Sequence, residues 1–333
     1  LSLICQIETL VIEPRQDAAA WLFMGERQSH GQMPGRDLWD NKLPLVYLIG
    51  RVAMATRSPQ LFLWLLEAGI TALGAVAVTS LISRHRVNQS DAESECQANP
   101  CFAAILTGVA LCIVSGSPSY HAGGYKTEIY AMPLSAIAVW ILFHAAINRG
   151  SIKAPFLSGL LWTIAVSFRL PMALAAACAM AAQLSFVHRS MRARLCVAIG
   201  AGCVVGVAVV LAHPMLAGYW RECIECGVLW PLNWHGARIN GPLVPPTSRR
   251  LMECLQDVLK LGWLHVPAIL GYAMAMRRPD RRLAIVGLIW YVASLMSSAM
   301  GWASYAHYQY VMIAPACVGC GLLFLNLRSP HAK

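Results

Sequence analysis

Between Asp17 and Pro44 the chain packs acids, bases, aromatics and chain breakers into a short run that includes Pro34, Asp37, Trp39, Asp40 and Lys42. Carboxylates in such a run can take a proton from an attacking hydroxyl. Lysine and arginine can hold a developing anion. Further candidates stand apart from it: Lys126-Thr127-Glu128, Arg169, and Tyr305-Ala306-His307-Tyr308-Gln309. Each has a plainer structural reading. Asp17 is placed to cap a helix over Ala18–Met24. Asp37 and Asp40 can pair with Arg36 and Lys42 in a solvated loop. Glu128 can cap its own helix and complement the dipole there. Lys42 and Arg169 can snorkel to headgroups, and Trp302, Tyr305 and Tyr308 can form part of an aromatic belt. Arg169 separates two short apolar runs, a costly place for a charge unless it is paired or functional. Cys223-Ile224-Glu225-Cys226 could bind metal or form a redox pair, and a disulfide among Cys223, Cys226 and Cys254 is open in an oxidising compartment. The second half of a zinc site is missing, and no thioredoxin-like context surrounds the pair.

The elements that must carry these residues are membrane helices. Of 333 residues, 57% are hydrophobic and 13% charged, and mean hydropathy is +0.54. A soluble domain of this length needs more charge to cover its surface. Apolar runs cover Leu61–Ile82, Cys101–Gly116, Ile129–Ile147, Cys196–Leu211, Leu283–Met300 and Val311–Leu325, with shorter ones at Ala154–Val166, Pro171–Val187 and Leu261–Met276. About nine or ten membrane helices follow, since a span needs ~20 apolar residues. The runs are continuous rather than alternating, which disfavours a β-barrel. Leu1–Ile12, interrupted by Gln6 and Glu8, reads as the end of a helix, without the basic region and cleavage site of a signal peptide. The expected fold class is therefore all-α, a polytopic integral membrane protein forming one transmembrane domain with no separate soluble domain.

A net charge of +10 raises nucleic acid as a partner, but the distribution excludes that reading. Basic residues sit in clusters between apolar runs: Arg84 and Arg86; Arg149 and Lys153; Arg189, Arg192 and Arg194; Arg277, Arg278, Arg281 and Arg282; Arg328 and Lys333. With helices alternating in direction, all of them fall on one side, the positive-inside pattern. The two long connections, Glu13–Gln60 and His213–Lys260, are then external, and long loops in compact proteins are usually functional. Leu43–Met54, apolar but short and containing Arg51, reads as an interfacial helix. The stretches around Trp220 and Trp230–Trp234 are aromatic and polar, suited to covering a site on that face.

The run Pro34, Asp37, Trp39, Asp40, Lys42, Pro44, with Asp17 before it, resembles the first external loop of the GT-C superfamily of membrane glycosyltransferases. It is most similar to the bacterial branch near the dolichyl-phosphate-mannose–protein mannosyltransferases, a family-39-like group, and to the lipid A aminoarabinose transferases. Lys126-Thr127-Glu128 and the Tyr305–Gln309 segment, followed by Pro315, agree in order and topology. The departures are Ala18 in place of a second acid after Asp17, Gly35 in place of a tyrosine, and Leu43 before Pro44. The resemblance implies inverting transfer of a sugar from a polyprenyl-phosphate-linked donor to an acceptor glycan, lipid or protein. It places the site on the extracytoplasmic (periplasmic) face of a bacterial inner membrane. It implies Asp17 as general base and Asp37, Asp40, Lys42, Glu128, Arg169, Tyr305, His307 and Tyr308 as substrate-binding residues. Lys42, Arg169 and His307 are the candidates to hold the leaving lipid phosphate. A divalent metal ion is an open cofactor: Asp17 and Glu128 could offer oxygens, but two carboxylates do not make a site.

Two alternatives stand beside the transferase. One is a transporter or lipid flippase, with Arg169 and Glu128 along a pathway. The other is an inactive subunit of the same fold. The chain has no Walker A motif, dinucleotide glycine pattern or H-E-x-x-H, nor a clear internal repeat of the transporter kind. Asn88-Gln89-Ser90 fits a glycosylation sequon on the cytoplasmic side.

Overall fold

The computed structural model describes residues 1–12, 16–87, 100–118, 124–147, 152–232, 262–279, 281–300 and 306–327, with Met252, Gln256 and Leu259. Among these residues the protein is helical, and the only β pairing is an isolated bridge between Pro34 and Leu38. Two single-turn helices, α1 (Ser2–Cys5) and α2 (Glu8–Val11), precede α3 (Gln16–Ser29) and α4 (Leu45–Met54). The bundle then runs through α5 (Pro59–Val87), α6 (Pro100–Ser115), α7 (Thr127–Ile147), α8 (Lys153–Phe168), α9 (Met172–Ser185) and α10 (Arg189–Leu216). A short α11 (Trp220–Ile224) continues into a π-helical turn, Glu225–Leu229. The chain finishes with α12 (Gly262–Ala275), α13 (Arg282–Ala299), a 3₁₀ segment (Ala306–Met312) and α14 (Ile313–Leu327).

Five of these helical stretches are long and apolar enough to cross a membrane: Pro59–Ser83, Thr127–His144, Arg189–Leu216, Arg282–Ala299 and Tyr308–Leu327. They bear out an all-α membrane protein. Shorter apolar helices fill the gaps, among them Cys101–Ser115, Lys153–Phe168 and Met172–Ser185. The sequence expectation counted these as membrane helices too, although each is shorter than a typical span. The helices alternate in direction. The starts of α5, α7 and α9 therefore lie at the same end as the finishes of α6, α8, α10 and α13. Basic residues such as Lys153, Arg189 and Arg282 begin helices at the opposite end. There Arg192 also donates to the carbonyls of Ser185 and Val187, each at 2.9 Å, and so closes the end of α9.

The helices are drawn together by small residues. A side chain at Gly202 would collide with the Phe156 carbonyl on α8, and one at Gly159 with the Ile199 carbonyl on α10. Apolar lipid gives helices little hydrophobic reason to associate, so close backbone approach through small residues is the usual alternative. The same device joins α3 to α4. Gly25 lies against the backbone of Gly50 and Arg51, and a Cβ on Gly50 would stand 2.7 Å from the Trp21 carbonyl. The helix expected over Ala18–Met24 is longer in the structure, and Gly25 within it is where α4 crosses. The glycine sits in the helix interior, which runs on to Ser29. Asp17 therefore lies inside the first turn rather than capping it.

Gly202→Leu is expected to force α8 and α10 apart, costing roughly 1–3 kcal/mol or more by overpacking. It should lower the thermal midpoint of the purified protein. Gly200→Leu on the same helix, where a side chain meets nothing within 4 Å, should leave the midpoint within error of wild type.

Candidate functional site

The loop between α3 and α4 is folded on itself before it meets the bundle. The Asp37 carboxylate accepts the Met33 N–H at 2.7 Å and pairs with Arg36 at 3.1 Å. Both contacts, that with Arg36 first, hold the carboxyl below the usual carboxylate range. Asp37 thus organises an exposed turn. Gly35, at φ +86°, lies against the backbone of Glu222 and Cys223, where a Cβ would come within 3.1 Å of the Glu222 carbonyl oxygen. Trp39 meets Trp230 edge-on at 4.8 Å. The first loop is thereby docked on α11 and its π-helical extension. Asp40 accepts the Asn41 N–H at 2.6 Å. Lys42 is held through its backbone, whose N–H donates to Tyr47 Oη while the Tyr47 hydroxyl donates to the Lys42 carbonyl, both at 3.2 Å.

Against this docked loop opens a cavity of about 340 Å³. Its lining includes Trp39, Lys42, Thr127, Arg169, Trp230 and Tyr308. Arg169 is the polar centre. It follows the last turn of α8, 7% exposed, with Glu128, at 2% exposure, ion-paired to its Nη1. Its Nη2 approaches the Ser297 carbonyl at 3.5 Å, and the guanidinium lies 4.0 Å from the centre of the Tyr308 ring. Stacking on an aromatic face with a carboxylate at the edge is a stable arrangement for a desolvated guanidinium. Tyr308 is thus tied to Arg169.

Asp17 does not line the cavity. Its side chain is 53% exposed and is paired at 2.9 Å with Lys126, whose own side chain is 7% exposed. The next residue, Thr127, reaches the cavity wall and donates from its hydroxyl to Glu128 at 3.0 Å. Lys126–Glu128 therefore links Asp17 to Arg169 across three consecutive residues. Of the sequence candidates, Lys42, Arg169 and Tyr308 line the cavity, and Glu128 joins them through Arg169. Asp17 adjoins them through Lys126. Asp37 and Asp40 lie in the loop outside the lining. Tyr305 and Cys254 lie outside the described residues, as does the side chain of His307.

Sequence reasoning missed two participants. Glu67, inside the apolar run of α5, is fully buried and accepts hydrogen bonds from the Tyr125 N–H at 2.6 Å, the Tyr130 hydroxyl at 3.1 Å and the Thr9 hydroxyl at 2.5 Å. Its signal was its presence in that run, since an acid among apolar residues of a span marks a function or a partner. Tyr125, whose hydroxyl donates to the Val46 carbonyl at 2.6 Å, gave no signal beyond the preceding Gly124.

Among the described residues no group of three or more His, Cys, Asp or Glu is arranged to hold a metal ion. Asp17 and Glu128 each pair with a cation. Cys223 and Cys226 carry free thiols. Burial pushes the Cys223 thiol up to about 12, with Cys226 adding to the effect. The chain matches no protein-family model and no curated protein.

Two outcomes follow. Arg169→Ala strands Glu128 and is expected to cost about 3–5 kcal/mol. Arg169→Met with Glu128→Leu removes both charges and should recover most of that in a thermal or denaturant titration. At pH 8 a thiol titrating near 12 is about one part in ten thousand thiolate. Maleimide should therefore label Cys223 slowly, and its rate should still rise tenfold per pH unit at pH 9.

Proposed function

We propose that the protein is a membrane glycosyltransferase that moves a sugar from a polyprenyl-phosphate-linked donor to an acceptor glycan, lipid or protein, with inversion. The observation that carries this reading is the pairing of Lys42 and Arg169 on one cavity walled by Trp39, Trp230 and Tyr308, at the end of an apolar helical bundle. Two cations suit a phosphate, flat indole faces suit a sugar ring, and apolar helices suit a polyprenyl tail. At about 340 Å³ the cavity is in the range that holds a small ligand. The likeness of the first loop to GT-C enzymes agrees with it.

In this reading the donor phosphate rests on Arg169 and Lys42. The acceptor hydroxyl approaches from the solvent side, where Asp17 is half exposed. Its proton passes to the Asp17 carboxylate as its oxygen bonds to the anomeric carbon. The bond from that carbon to the phosphate oxygen breaks, and the lipid phosphate leaves with the electron pair, its charge held by the two cations. Glu128 and Tyr308 keep Arg169 oriented, and Lys126 holds Asp17 by its ion pair. Basic residues at the opposite helix ends face the cytoplasm under the positive-inside rule. The site then faces the periplasm of a bacterial inner membrane.

One observation favours a second reading. Glu67 is a carboxylate buried within a membrane helix, where transporters and flippases keep theirs. A flippase moves the lipid intact, whereas a transferase liberates polyprenyl phosphate. The purified protein in lipid nanodiscs, given a polyprenyl-phosphate-linked sugar together with hydroxyl-bearing acceptor glycans, lipids and peptides, should release polyprenyl phosphate as the sugar bonds to the acceptor oxygen. Asp17→Asn should lower kcat by about 10²–10⁴-fold, the usual worth of a general base, with folded protein recovered. Transfer at the wild-type rate by that variant would remove Asp17 as base. Lipid translocation without bond cleavage would favour the flippase, and absence of both activities would favour an inactive subunit.

A further inference from the structure

Tyr125 is the one described non-glycine residue with a positive φ, +49°, and it follows Gly124 at +79°. A bulky side chain in this region costs of order 1–3 kcal/mol and persists only where its surroundings hold it. Four contacts hold it here. Its N–H donates to Glu67 at 2.6 Å, its hydroxyl donates to the Val46 carbonyl at 2.6 Å, and its ring stands edge-on to Trp21 at 5.7 Å and to Tyr130 at 6.4 Å. Of these only the first fixes the backbone directly. Glu67 is itself anchored by the hydroxyls of Tyr130 on α7 and Thr9 on α2. The left-handed residue sets the direction in which the chain enters α7. The next residue, Lys126, goes to Asp17, and the one after it, Thr127, to the cavity wall.

We infer that Glu67 is a positioning residue for the site, acting through the strained backbone of Tyr125. Resting on the proposed transferase reading, it sets the spacing between the Asp17–Lys126 pair and the Arg169 cavity without touching substrate. Removing the Glu67 carboxylate lets Tyr125 relax toward negative φ and redirects Lys126. Arg169 keeps its partners Glu128 and Tyr308, so donor binding should survive while chemistry suffers.

The test compares wild type, Glu67→Leu and Glu67→Gln in the whole chain in nanodiscs, by amide hydrogen exchange and by steady-state kinetics with a polyprenyl-phosphate-linked sugar and a hydroxyl-bearing acceptor that wild type uses. Glu67→Leu should speed exchange of the Tyr125 amide at least about tenfold as its acceptor is lost. It should lower kcat by about tenfold to a hundredfold, the scale of a misplacement near 1 Å, with KM for the donor nearly unchanged. Glu67→Gln keeps an oxygen for the Tyr125 N–H and should restore kcat to within about threefold. If Glu67→Leu is not recovered folded, Glu67→Asp, which withdraws the oxygen by one methylene, carries the same expectations. Unchanged protection of the Tyr125 amide would overturn the inference. So would a loss in KM alone, or a Glu67→Gln variant as impaired as the apolar one. If wild type shows no transfer, the transferase reading falls, while the exchange comparison still decides whether Glu67 holds Tyr125.

Discussion

A charge buried among apolar helices must find its partner inside the bundle, because no water is there to solvate it. That requirement gathers this protein around four consecutive residues, Tyr125 to Glu128. Tyr125 gives its backbone N–H to Glu67 on α5 and its hydroxyl to Val46 on α4. Lys126 pairs with Asp17 on α3. Thr127 reaches the cavity wall, and Glu128 pairs with Arg169 between α8 and α9. Elements far apart in sequence are thus referred to one short segment at the start of α7. Few of these contacts can be lost singly, since each leaves a buried polar group behind it.

The loops depend on this segment in turn. The crossing of α3 and α4 at Gly25 and Gly50 brings Asp17 within reach of Lys126 and packs Gly50 under the Tyr125 hydroxyl. The loop that follows α3 spreads over α11 through Gly35, Trp39 and Trp230, and so closes one side of the cavity over Arg169. The cavity therefore has Arg169 as its polar floor on the bundle and an aromatic wall formed by Trp39 of the first loop and Trp230, which follows the π-helical turn.

How much of this could be read in the sequence depends on whether the cause is local. Apolar runs and the clusters that separate them follow directly from the cost of burying charge. The helices accordingly fall close to the expected spans, and Arg169 stands out before its partner is known. Leu45–Met54 is similarly legible as a short helix distinct from the spans. The partnerships are another matter. No periodicity relates Asp17 to Lys126, whose meeting is set by how α3 crosses α4. Glu67 was legible in kind, as an acid in an apolar run, but its role depends on a backbone turn at Tyr125 that no residue pattern announces. Asp37 and Asp40 carried the motif-like part of the first loop. The former mostly shapes its own turn, because a carboxylate beside free backbone N–H groups satisfies them first.

Recognition of a lipid phosphate by the proposed Lys42–Arg169 cavity is decided by the affinity of the purified protein for a short isoprenyl phosphate compared with the isoprenyl alcohol of equal chain length. The phosphate should bind at least about tenfold more tightly, as expected for charge-assisted hydrogen bonds; this preference should weaken with salt, and Lys42→Ala should erase most of it. Equal affinity for phosphate and alcohol, or a preference untouched by Lys42→Ala, would contradict it.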